Sequence, residues 1–192
     1  MIGTAAVWLD WDNVILALDP STGKHPQPAP LILALRLLLE ERNLWPGYRR
    51  AYTNQRPKSG KKALQEAGYD VKQVPTGRNL ADDCIRQDIL RIFRHCHGVL
   101  LDYVLISGDG GMLPVFREIQ NYTPAPRLWV VSFSDKLNQS FYDSDYRVVL
   151  LDSYYEKAKK ILAAGKLHPP RRLTCPAGWS QSPRRGRFGI VH

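Results

Sequence analysis

The sequence predicts an α/β fold, a three-layer sandwich with a mostly parallel central sheet. Three observations predict it. Short apolar runs alternate along the chain with longer amphipathic stretches, the pattern of strand–helix–strand units. The stretch "DYVLISGDG" (102–110) carries a run that is apolar on both faces, as central parallel strands are. Hydrophobic residues make up 44% of the 192, enough to bury a core of that size.

Each element follows from local chemistry. Residues 5–10 read as a buried strand. "STGKHPQPAP" (21–30) is a loop, and Pro30 suits the first turn of a helix running to about residue 43. Residues 48–53 form a second strand. A Lys-rich loop and a short helix, 61–67, follow, and Gly68 stops the helix. Residues 71–74 are a third strand. A helix over 80–95 keeps Ile85, Ile89, Ile92, Phe93 and Cys96 at helical spacing. The fourth strand ends at Ser107, and a helix spans 113–120. "RLWVVSF" (127–133) and "YRVVLLD" (146–152) are the last strands, and a closing helix over 152–164 ends at Gly165. The folded domain is thus expected over 1–164. Residues 165–192, dominated by Pro, Arg and Gly, are expected to be a basic, disordered tail.

Charge and composition narrow the function. The net charge is +9, and the six Lys or Arg beyond Gly165 stand without any Asp or Glu. The body is only mildly basic, while the tail suits phosphate backbones or an acidic partner protein. A merely solvating tail is the plainer reading. The first apolar run is cut by Asp10 and lacks a basic leader, so no secretory signal is expected. "APLILALRLLL" is too short for a membrane span and contains Arg36. Cys84, Cys96 and Cys175 show no metal or redox spacing, as expected of a cytoplasmic protein.

The acids carry the chemistry. In open parallel sheets, ligands sit outside the carboxyl ends of the strands. Asp10 and Asp12 lie just past the first strand, and Asp109 just past the fourth. Asp82 and Asp83 lie in the first turn of the helix after the third strand, on the same rim. Two carboxylates about 4 Å apart repel by roughly 4 kcal/mol at an effective dielectric of 20. Several together call for protonation or a cation between them. Hard divalent ions take such oxygen ligands together with substrate phosphate. Plainer readings stand beside this one. Asp82 can pair with Asn79 as a helix cap, Asp83 can face Arg86 in solvent, and Asp109 can belong to a Gly-rich turn. Asp88 borders the buried stripe beside Ile85, so it needs a partner, either a salt bridge or a role at the metal. Asn13 can cap the next segment or hold Asp10 through its amide.

With these residues in view, the chain resembles the NYN branch of the PIN-like nucleases over residues 5–152. The opening "DWDN" (10–13), the block "EAGYDVKQVPTGRNLADDCIRQDIL" (66–90), "DYVLISGDGGMLPVF" (102–116) and "DKLNQSFYDSDYRVVLLD" (135–152) match its four pieces in order. The resemblance implies a PIN-like, Rossmann-like fold and a metal-dependent endoribonuclease that hydrolyses RNA phosphodiester bonds with a metal-activated water. Asp10, Asp82 and Asp109 would hold Mg2+ or Mn2+, with Asp88 the family's second helix acid and Asp145 or Asp143 its closing acid. Asn13, Ser107 and Thr53 would position water, ligands or phosphate. Two positions depart from the pattern. Gly111 stands where the family has a further acid, which predicts weaker metal binding or one metal rather than two. Trp11 replaces a small residue. Asp12 is a candidate to compensate for the missing acid.

Two further readings compete. "LDWDNVIL" (9–16) is also similar to the first motif of haloacid-dehalogenase-like phosphatases, with Asp10 as nucleophile, Asp12 as acid/base, Thr53 on phosphate and Lys61 or Lys62 as the lysine. That family's closing acid is missing after "GDGG", and it leaves Asp82 and Asp88 unexplained. The third reading is an RNA-binding module with weakened catalysis. Arg49, Arg50, Arg56, Lys58, Lys61, Lys62 and Arg78 would track phosphates beside Tyr52, Tyr69 and Trp45, although Trp45 and Tyr69 also fit the core.

Overall fold

The computed structural model describes residues 3–19, 22–54, 60–75, 80–96, 98–122 and 125–165. Six strands form one all-parallel sheet: β1 (Gly3–Asp10), β2 (Leu44–Thr53), β3 (Asp70–Gln73), β4 (Asp102–Ile106), β5 (Arg127–Ser132) and β6 (Arg147–Leu150). Their order is β3-β2-β1-β4-β5-β6. The chain winds outward from β1 to β3, then returns to lay β4 on the other side of β1. β1 and β4 therefore flank a topological switch point, where doubly wound sheets open a crevice at their carboxyl ends.

Helices cover both faces. α2 (Pro28–Glu41), α3 (Gly60–Glu66) and α6 (Asp152–Ala163) bury Leu31, Leu35, Leu38, Leu64 and Tyr155 against Ala5, Val7 and Leu9 of β1. α4 (Leu80–Cys96) and α5 (Leu113–Gln120) bury Ile85, Ile89, Phe93, Phe116 and Ile119 against Ala6 and Trp8. Alternate β1 residues thus serve opposite layers, as the two-residue period of a strand requires. All five residues of β4 are buried, as its sequence predicts. No helix among the described residues is long and apolar enough to cross a membrane.

Two features differ from the sequence expectation. β2 begins at Leu44 rather than residue 48. Pro46 pairs with Ala5 and Tyr48 with Ala6, so Gly47 bulges out and "WPG" belongs to the strand. The segment after β1 is a five-residue helix, α1 (Trp11–Ile15), which Asp10 caps. Trp11, the departure from the small residue of the family pattern, turns into the core. Its ring lies where a Cβ on Gly60 would come within 2.9 Å, so the indole takes space that Gly60 leaves free.

Candidate functional site

The crevice at the switch point is an open pocket of about 320 Å³. Asp10, Asp12, Asn13, Asn54, Asp82 and Asp109 line it, with Leu16, Ala81 and Lys136. Four carboxylates from three separate parts of the chain therefore share one rim.

The strand ends orient them. Asp10 is buried and accepts from the Asn13 backbone N–H at 3.2 Å and from the Ser107 hydroxyl at 3.2 Å. The same hydroxyl accepts the Asp109 N–H at 3.2 Å. The Asn13 side-chain oxygen accepts the Gly108 N–H at 2.9 Å, which ties the end of β1 to the end of β4. Of the two roles the sequence left open for Asn13, it holds Asp10, through its backbone N–H, while the cap of the next helix is Asp10 itself. Asp12 is tied the other way, accepting from the Thr53 hydroxyl at 2.8 Å and the Asn54 N–H at 2.7 Å beyond β2. Ser107 and Thr53 were expected to position water, ligands or phosphate; both are buried and bond to Asp10 and Asp12.

The cluster leaves its mark on the acids. Burial pushes the Asp10 carboxyl up to about 6; the hydrogen bonds from Asn13 and Ser107 pull it down, and the charges of Asp82 and Asp12 push it further up. Burial and then the Asp109 charge raise Asp82, against the pull of Arg86.

The fit to a divalent ion is that of an open site. Among the described residues no three His, Cys, Asp or Glu side chains are arranged to hold one ion. The expected convergence of Asp10, Asp82 and Asp109 is thus a shared pocket, not a closed three-carboxylate cage, because like charges in one crevice hold apart. The donor chemistry does fit. A Cβ added at Gly111 would lie 3.2 Å from Asp109 Oδ1 and 3.6 Å from Asp82 Oδ2, so these two oxygens border the space the glycine leaves open. Mg2+ characteristically takes one or two carboxylates and completes its shell with water and phosphate.

Asp88 is a correction. It does not line the pocket. It is 5% exposed and lies beneath Trp8, accepting from the indole N–H at 3.0 Å, from the Tyr48 hydroxyl, from Arg50 at 3.0 Å and from Arg91 at 2.6 Å. Burial works to raise its carboxyl, but the donors from Tyr48, Arg91 and Trp8 hold it below the usual carboxylate range. Its helical position beside Ile85 sends it into the core, where the arginines neutralise it. Asp83 pairs with Arg86. Asp143 and Asp145 are exposed and do not line the pocket.

The expected RNA-tracking patch also changes. Arg49 donates to the Ala67 carbonyl at 2.9 Å, and Arg50 is held between Asp70 and Asp88. Tyr52 is fully buried and Tyr69 nearly so, so neither presents a stacking face. Arg56, Lys58 and Arg78 lie outside the described residues, as do Asn79 and the tail beyond Gly165. Sequence reading passed over Lys136 and Asn54. The signal was available: each follows the carboxyl end of a parallel strand, on the rim where ligands bind.

Sheet order and pocket together define a class, a doubly wound α/β domain with an acidic crevice at its switch point. Within that class the chain belongs to the NYN domain family, whose model matches residues 4–151; NYN domains are a branch of the PIN-like nucleases. The family match sets aside the phosphatase reading, as does the use of Thr53 to hold Asp12. Among solved structures the chain is similar to a protein of unknown function from Vibrio parahaemolyticus. The two are 16% identical and superpose with a TM-score of 0.62 over 79% of this chain and 94% of the other. That likeness is one of fold. No curated protein matches the chain.

Proposed function

We propose that this NYN domain is a metal-dependent endoribonuclease, cytoplasmic, acting on RNA in the acidic crevice. One observation carries the reading: Asp10, Asp12, Asp82 and Asp109 line a single pocket at the strand carboxyl ends, with Asp10 and Asp82 both raised. An RNA phosphodiester is itself an anion, so a crevice this acidic needs a cation before it can accept one. Asp82 and Asp109 would hold Mg2+ or Mn2+, with Asp10 beside them. Such an ion supplies Lewis acidity, which acidifies water and offsets charge on the phosphate.

The protein's own groups do the positioning. Ser107 joins Asp10 to the Asp109 turn through one hydroxyl. Asn13 fixes the two strand ends relative to each other. Asp12 adds fixed negative charge, held by Thr53 and Asn54. Residues 1–164 would form the catalytic unit, and the basic tail over 165–192 would add phosphate contacts or reach an acidic partner.

Incubation of a labelled single-stranded RNA with Mg2+ or Mn2+ tests this. Internal cleavage is expected, abolished by EDTA and by Asp109→Asn. Gly111 supports one second reading, a binding module with weakened catalysis, because an acid is missing between Asp82 and Asp109. RNA bound tightly but left intact with either metal would replace the first reading by the second.

A further inference from the structure

We propose that Lys136 is the phosphate-binding cation of this pocket, holding a non-bridging oxygen of the RNA phosphodiester opposite the acids. The inference rests on the nuclease reading and names a residue that reading leaves out.

Lys136 lines the pocket with the four carboxylates and Asn54. A lysine that lines such a pocket would ordinarily be taken up by one of its acids. Lys136 is not: among the described residues it forms no ion pair with Asp10, Asp12, Asp82 or Asp109, and its side chain makes no hydrogen bond. A cation that shares a crevice with acids yet pairs with none is available to an incoming anion.

Its placement is fixed by the backbone. The loop 133–138 turns sharply after β5, with the N–H groups of Lys136 and Leu137 both bonding to the Phe133 carbonyl at 3.1 Å. Asn138 N–H bonds to the Gly108 carbonyl at 2.9 Å, beside Asp109. A Cβ on Gly108 would come within 2.2 Å of the Lys136 carbonyl oxygen, so this close approach requires glycine. The loop is thereby clamped to the turn that carries Asp109. The other polar side chains of the loop all have partners. Ser134 bonds to Asp152 at 2.8 Å, Asp135 accepts the Leu18 N–H at 2.9 Å, and Asn138 accepts the Ser140 N–H at 3.0 Å. Among the described residues Lys136 alone of these lines the pocket without a side-chain partner. The residue is half-buried, which limits the freedom it loses on binding.

The test compares wild type, Lys136→Met and Lys136→Arg. Binding of a fluorescein-labelled single-stranded RNA is followed by anisotropy in Ca2+, a hard ion that takes the same oxygen ligands, over a range of salt, and cleavage of the same RNA is followed in Mn2+. Lys136→Met is expected to bind about tenfold more weakly at low salt. Its slope of log affinity against log salt should shrink by about 0.7, the loss of one phosphate contact on a single strand. Lys136→Arg should restore the slope, which a side chain that merely supports the loop would not do. Wild-type affinity and slope in Lys136→Met would overturn the inference, even if wild type cleaves and the nuclease reading stands. Lys136-dependent binding with no cleavage by wild type would overturn the nuclease reading and leave the phosphate contact standing. No RNA binding by wild type would overturn both.

Discussion

Replacing Asp10 by Asn probes the electrostatics of the crevice in the folding equilibrium itself. Asp10 is 6% exposed. Burial first, then its acidic neighbours, move its carboxyl from 3.8 to about 6. The folded protein therefore holds this proton more tightly than the unfolded chain does. Stability from the group is fully present below pH 3.8 and is lost as the pH rises through about 6. At about 1.4 kcal/mol per pH unit, the charged form costs about 3 kcal/mol above that range. Asn carries no charge and can still accept the Asn13 N–H. In EDTA, Asp10→Asn should therefore exceed wild type in stability by about 3 kcal/mol near pH 8, with the gap closing toward pH 4. Urea unfolding followed by tryptophan fluorescence and extrapolated linearly measures both arms. Added Mg2+ should narrow the gap near pH 8 by stabilising wild type alone. A gap independent of pH, or a variant less stable than wild type near pH 8, would refute the argument that buried charge repulsion is stored in this pocket.

Two other substitutions separate ligands from scaffold. Asp88→Ala should cost about 1–3 kcal/mol, because it leaves the buried Trp8 indole N–H without an acceptor while Arg50 keeps only Asp70; a midpoint within about 2 °C of wild type by thermal unfolding would show that the Asp88 contacts are not structural. Gly111→Asp places a carboxylate beside Asp109 Oδ1 and Asp82 Oδ2. Calorimetric titration with Mn2+ should then show roughly tenfold tighter binding, and unchanged affinity would mean that these oxygens do not border the ion.

Much of this fold could be read from the chain because its elements are locally consistent. The amphipathic spacing of α4 and the apolar run 103–106 of β4 each survive into the structure nearly residue for residue. The start of β2 at Leu44 is not legible locally, because Pro46 and Gly47 are poor strand residues and only pairing with β1 accommodates them, as a bulge. At the site, the gathering of Asp10, Asp12, Asp82 and Asp109 followed from a rule about strand ends. Which acids point into the crevice did not. Asp82 and Asp88 are six residues apart on one helix, yet one lines the pocket and the other lies buried among arginines. That outcome depends on Trp8, Tyr48 and Arg50, residues from two strands that helical periodicity cannot see.

The segment from Asp10 to Asn13 bonds β1 to both of its neighbours, to β4 through Ser107 and Gly108 and to β2 through Thr53 and Asn54. Inactivity in a variant of Asp12 or Asn13 is therefore ambiguous, since the crevice loses its shape along with any ligand. Among the described residues the Asp109 carboxylate bonds only within its own turn, to the Gly111 N–H. Its loss disturbs no seam between strands, so a silent Asp109→Asn enzyme reports on chemistry and an inert Asp12→Asn enzyme does not.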